Sequence, residues 1–182
     1  MEKIKYTQRI CSDQEKIEQF LLKERTGTLS IAGHEYPYAI PINYVWHNGS
    51  VFFHGMGTGK KNDLLSKDPN VCFTVYKENG TVMDQVPCHA DTSYMSVMIF
   101  GKVEKITDPD EGAQALQKLV EKYMPGYYKH SLSGNLIDKY RSSMDGKGVS
   151  IYQIKQQHMT AKENVVEPDQ IFGETQKPIH SV

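Results

Sequence analysis

Along most of this chain apolar residues alternate with polar ones instead of recurring every three or four positions, the pattern of strands rather than helices. In "YPYAIPINYVWHNGSVFFHG", Tyr38, Ile40, Ile42, Tyr44 and Trp46 fall on one face of an extended segment. Asn48-Gly49 then predicts a hairpin, because a type I′ turn needs positive φ at both central positions. "SVFFH" is the returning strand. Pro41 has no N–H to give to a ladder, so an edge, a bulge or an interruption is expected there. Further strands are expected at "GTLSIA", "NVCFTVY", "YMSVMIFGKVEKI" and "VSIYQIK". The "YMSVMIFGKVEKI" segment is apolar on both faces from Val97 to Phe100, which suits a central strand.

Helical periodicity is confined to a few places. "SDQEKIEQFLLKE" opens with Ser12 and Glu15 in capping-box spacing and sets Ile17, Phe20 and Leu21 on one face. "KKNDLLSKD" predicts a short helix stopped by Asp68-Pro69. "DPDEGAQALQKLVEKYMPG" is the strongest helix, with Asp108 as cap, Pro109 at the first helical position and Glu111 at N3. "NLIDKY" adds a helical turn. "KENGTVMDQVPCHADTS" has loop composition, with Asn79-Gly80 as a second turn candidate. From about Glu163 the chain becomes polar and aperiodic, so residues 1–162 read as the domain and 163–182 as a tail, disordered or ordered only on a partner. Strands this closely spaced, with few helices between them, predict a small antiparallel barrel.

A chain of 182 residues suits one such domain. With 21 Lys+Arg against 22 Asp+Glu there is no basic excess, which argues against a general nucleic-acid binder. Cys11, Cys72 and Cys88 are too scattered for a disulfide framework and read as reduced thiols. The N-terminal "MEKIKYTQRICSD" has no apolar signal-peptide core, and no window is apolar enough to span a bilayer. The expectation is a cytoplasmic protein with no membrane partner.

The candidate chemistry lies in "FFHGMGTGKKNDLL". Glycines beside lysines between a strand and a helix suggest a held anion, because free N–H groups at a helix start point at whatever sits there. Lys60 and Lys61 occupy the first turn, where cations oppose the helix dipole unless an anion offsets them. A Walker A loop is excluded, since Gly55 to Gly59 is one residue short and Lys61 stands where Ser or Thr belongs. A Rossmann fingerprint fails too, with Lys60 in place of the last glycine.

These segments in this order, together with "RICSDQEKIEQFL" and "YMSVMIFGKVEKITD", resemble the flavin-binding split-barrel superfamily over about residues 9–162. Within it they are most similar to the nitroimidazole-resistance branch, often labelled pyridoxamine 5′-phosphate oxidase-like. The resemblance implies a mainly β fold, a six-stranded antiparallel Greek-key split barrel with flanking helices. It also implies a homodimer with FMN at the subunit interface. Ala39, Ile40, Pro41, Ile42 and Asn43 would lie along the isoalloxazine ring, Phe53, His54 and Gly55 near the ribityl chain, and Lys60 and Lys61 on the phosphate. Tyr94 and Ser96 would border the same cleft. The implied activity is an FMN-dependent, nitroreductase-like oxidoreductase using NAD(P)H or another donor and a small acceptor, nitroaromatic or quinone-like. The substrate arginines and histidine of the true pyridoxamine-phosphate oxidases have no counterpart here, which speaks against vitamin B6 oxidation. Two alternatives stay open: a flavin-binding or redox-sensing module without turnover, and a barrel that holds haem or another flavin-like cofactor.

His54 is the candidate catalytic or substrate-contacting group, its other reading being a hydrogen bond to a ribityl hydroxyl or a backbone carbonyl. Cys88-His89, Cys72 and His34 lack the spacing of a metal site, so no metal is expected. Tyr123, Tyr127, Tyr128 and Tyr140 read as interface or core packing, and Trp46 as core.

Overall fold

The computed structural model describes residues 4–33 and 35–173. All the expected strands are present, and one of them is cut in two, so the sheet has seven members instead of six. They are β1 (Thr26–Ile31), β2 (Tyr38–Asn43), β3 (Val45–His47), β4 (Ser50–Gly55), β5 (Asn70–Val82), β6 (Asp91–Ile106) and β7 (Ser150–Asn164). The sheet is antiparallel in the order β2-β1-β5-β6-β7-β4-β3. Its two edge strands, β2 and β3, are consecutive in the chain and separated only by Tyr44. The chain itself therefore joins the two edges, and the barrel is split along the gap that opens beyond Tyr44. Asn48 (φ 48) and Gly49 (φ 69) make the two-residue turn from β3 to β4, with His47 opposite Ser50.

Alternation decides which face is inside. Leu29 and Ile31 of β1, Phe73 and Val75 of β5, Val97 and Ile99 of β6 and Ile154 of β7 are buried, with α1 (Gln14–Lys23) contributing Ile17, Phe20 and Leu21. The cap of α1 is Asp13, whose carboxylate accepts from Lys16 N at 3.0 Å, in place of the expected Ser12. An ionised carboxylate is the stronger acceptor and also answers the positive end of the helix dipole. α2 (Lys60–Lys67), α3 (Pro109–Tyr123) and α4 (Gly134–Lys139) complete the frame, and Asp108 caps α3 by accepting from Asp110 N and Glu111 N. No helix among the described residues is long and apolar enough to cross a membrane.

Two local expectations are corrected. Asn79-Gly80 makes no turn: β5 runs on to Val82, with a register shift between Glu78 and Gly80 where Gly80 has φ +142. Continued pairing with β6, as far as Val82 opposite Asp91, overrides the local turn preference and turns the dipeptide into a bulge. Nor is the start of the expected tail free. Glu163 and Asn164 finish β7, and Ile171 bridges back to Val82. Phe172 N donates to Thr81 O at 2.8 Å, and Met83 N donates to Gln170 O at 2.9 Å. Those backbone groups find partners on the exposed end of the β5–β6 hairpin, which polarity alone does not reveal. The rest of that tail, 174–182, lies outside the described residues, as does His34.

Candidate functional site

The site begins where the long strand breaks. Tyr44 is wholly buried, its ring edge-on to Phe73 at 5.1 Å and its hydroxyl donating to Leu21 O at 2.8 Å. On one side of it β2 stays with β1; on the other, β3 joins β4. Because β2 is a sheet edge, the backbone groups on its outer side have no ladder partner and face the gap. Pro41, opposite Thr28, sits on this edge, where a missing N–H is tolerated. The gap widens into a cleft of about 550 Å³ between β2 and the β4–α2 loop, bordered by Tyr38, Ile40 to Asn43, His54, and Thr58 to Lys61. Ala39, Pro41 and Asn43 are exposed, whereas Ile40 and Ile42 lean half-buried onto the core.

The opposite wall is built to carry positive charge. Gly59, at φ +96, turns the chain into α2, and no side chain caps that helix. The N–H groups of Lys60 and Lys61 are therefore left for a ligand, while Asn62 N donates to Gly59 O at 2.8 Å. Lys61 Nζ lies 4.5 Å from the centre of the Tyr152 ring and 5.7 Å from that of Phe53. Burial against these rings pushes the Lys61 ammonium below its ordinary pKa. Lys60 reaches across the cleft, its Nζ 5.0 Å from the Tyr38 ring. Among the described residues neither lysine has a carboxylate within ion-pair distance. Two cations crowded at the positive end of a helix cost stability unless an anion joins them.

The loop is held in shape from below. Phe53 and Tyr152 stack at 5.0 Å, the Tyr152 hydroxyl donates to Asn62 Oδ1, and Asn62 Nδ2 donates to Met56 O at 3.0 Å. A Cβ on Gly55 would stand 2.8 Å from Lys61 Nζ, so this glycine leaves the ammonium its room. His54 is open to solvent but crowded enough that partial burial, and then the charge of Lys61, lower its pKa.

Of the residues expected at the site, Ile40, Pro41, Ile42, Asn43, His54, Lys60 and Lys61 border one cleft, with Ala39 on the same strand and Gly55 beneath Lys61. Phe53 is fully buried and does not line the cleft; its ring stacks on Tyr152 behind Lys61. Tyr94 and Ser96 are not brought to this cleft: on β6 they pair with Glu78 and Tyr76 of β5, and β5 and β1 stand between them and β2. Tyr152, Asn62 and Tyr38 were not expected there. Tyr152 and Asn62 carry no motif, and Tyr38 reads from the sequence only as one more residue of a strand face. Among the described residues no three metal-ligating side chains cluster.

Among solved structures the chain is similar to a "putative 5-nitroimidazole antibiotic resistance protein" from Bacteroides thetaiotaomicron, at 26% identity over 84% of this chain and 85% of that one, TM-score 0.65. It shares its fold with the flavocytochrome Anf3 from Azotobacter vinelandii, at 17% identity over 97% and 86%, TM-score 0.72. It also shares it with the FAD and heme binding protein from Mycobacterium smegmatis, at 18% identity over 88% and 76%, TM-score 0.71. No curated protein matches the sequence. The pyridoxamine 5′-phosphate oxidase family model matches residues 13–163, from the cap of α1 almost to the end of β7, and the chain belongs to that family.

Proposed function

We propose that the cleft holds FMN and that the protein is an FMN-dependent oxidoreductase acting on a small acceptor. The observation that carries this reading is the pair of uncompensated lysines at an uncapped helix start, facing the unpaired edge of β2. A phosphate fits Lys60, Lys61 and the first N–H groups of α2, and each charge-assisted bond there contributes about 1.5–3 kcal/mol. The free backbone edge from Ala39 to Asn43 offers carbonyl acceptors and, except at Pro41, N–H donors to the rim of a planar ring. A flavin held there would supply the redox chemistry, two-electron exchange between a reduced nicotinamide and an acceptor such as a nitroaromatic or a quinone. The chain's own part is to grip the phosphate, lay the ring along β2 and place His54 beside it. The flavin- and nitroimidazole-related proteins of the same fold support the reading.

A second copy of the chain belongs to the same proposal. The outer face of β5 and β6 presents Tyr76 (53% exposed) and Met98 (38% exposed) beside Tyr94 and Phe100, an apolar surface suited to self-association. On a dimer formed there, Tyr94 and Ser96 would meet the partner and not the cleft of their own chain.

The test is the absorption spectrum of the purified protein, followed by anaerobic titration. The expected result is a flavin spectrum that NADH or NADPH bleaches and a nitroaromatic or quinone restores. A protein that stays colourless when FMN is supplied overturns the proposal. Sedimentation checks the dimer: dilution to monomers should release the flavin.

A further inference from the structure

A second cavity, of about 660 Å³, lies under α3 and α4 and meets the first at Asn43 and His54, which border both. We propose that it is the acceptor's site and that it selects a flat, uncharged aromatic ring of the quinone class. This rests on the flavin reading of the neighbouring cleft.

Its size falls in the range of roughly 300–1,000 Å³ typical of small-molecule sites. Apart from Arg25, Asn43 and His54, its lining is aliphatic or aromatic throughout. Met124, Tyr128, Leu136 and Tyr140 converge on it while remaining 42%, 55%, 51% and 46% exposed. Four large apolar side chains left open around one hollow point to an apolar occupant. The sole cation of the lining, Arg25, is spread over the Tyr123 ring at 4.6 Å, with no carboxylate partner among the described residues. It can donate to a ring carbonyl, but one guanidinium does not offset a phosphate dianion. The cavity therefore discriminates against phosphorylated rings by what it lacks. His54 and Asn43 form the threshold, so a ring lying there has one edge toward β2, where the flavin ring is placed. The overall exchange balances: NAD(P)H gives a hydride, solvent gives one proton, the quinone leaves as hydroquinone and NAD(P)⁺ is released.

Menadione is the probe, measured by equilibrium dialysis against the full chain with and without FMN. One menadione per chain is expected in both forms. Leu136→Trp, which fills the cavity, should weaken it at least tenfold, and Tyr128→Ala, at an exposed position, by about 3- to 10-fold for one lost aromatic face. FMN affinity and the rate of flavin reduction by NADPH should be unchanged in both variants, while KM for menadione rises. Menadione that does not bind, or that binds both variants as it binds the native chain, overturns the assignment. So does a Leu136→Trp chain whose dimer falls apart while its menadione affinity stays the same, because a second copy would then cover the face. A chain that binds menadione in this way but takes up no FMN upholds the cavity and overturns the cofactor reading.

Discussion

The Tyr123 hydroxyl takes the place of a neighbouring strand at Tyr44. It accepts from Tyr44 N at 2.9 Å, lies 3.0 Å from Tyr44 O and also contacts Arg25 O. A single side chain from the end of α3 thus pairs with the backbone N–H of the residue at which β2 and β3 part and shares its one proton between Tyr44 O and Arg25 O. The split of the barrel is stable because this break is hydrogen-bonded rather than left open.

Tyr123→Phe removes that partner and leaves a buried N–H unpaired, a loss of about 1–3 kcal/mol. Urea unfolding should show the midpoint falling with an unchanged slope. Tyr127→Phe, at a 74% exposed position, should change nothing measurable.

Lys61→Ala should weaken FMN binding by roughly 10- to 100-fold, the worth of one charge-assisted contact. Lys60→Ala should cost less, because that side chain is exposed. Fluorescence titration of both variants and the double mutant decides the matter. Unchanged affinity in all three would remove the phosphate from this loop.

His54 reports on the same contact. Its pKa is lowered by burial and by Lys61, so in the empty chain stability falls as pH drops below the ordinary value of 6.5. A phosphate that neutralises Lys61 should raise the His54 pKa, so binding takes up a proton and tightens as pH falls through that range. Proton NMR of the imidazole should show its midpoint moving up on addition of FMN. In Lys61→Ala the midpoint should start higher and move less.

Lys122 gives a pH dependence in the alkaline range. Its Nζ donates to Glu24 O at 2.6 Å and Leu21 O at 3.3 Å and sits 4.1 Å from the centre of the Tyr44 ring. Burial, and then Arg25, lower its pKa from 10.5 to about 8. Above pH 8 the unfolded chain holds more protons than the folded one, so stability should rise with pH in that window. Lys122→Met should flatten the rise in a series of urea melts.

Much of the fold was legible because the signals involved are local. Alternation marked the strands, Asn48-Gly49 marked the hairpin, and Asp108-Pro109 marked the start of α3. The Gly55–Lys61 run marked, through its own composition, where glycines and lysines gather at a helix start. Asn79-Gly80 misled because its local preference lost to twelve paired positions between β5 and β6.

The amino-acid order by itself determined which segments extend, which coil, where they turn and where positive charge gathers, since each of these depends on near neighbours. Only the tertiary structure decided that Tyr123 holds Tyr44 across 79 residues, that Tyr152 braces Asn62 across 90, and that Tyr94 and Ser96 stand away from the cleft. Periodicity states that a face is covered, not by what. The partner of a backbone group at a break, or of a lysine on a helix, is chosen by how distant elements pack together.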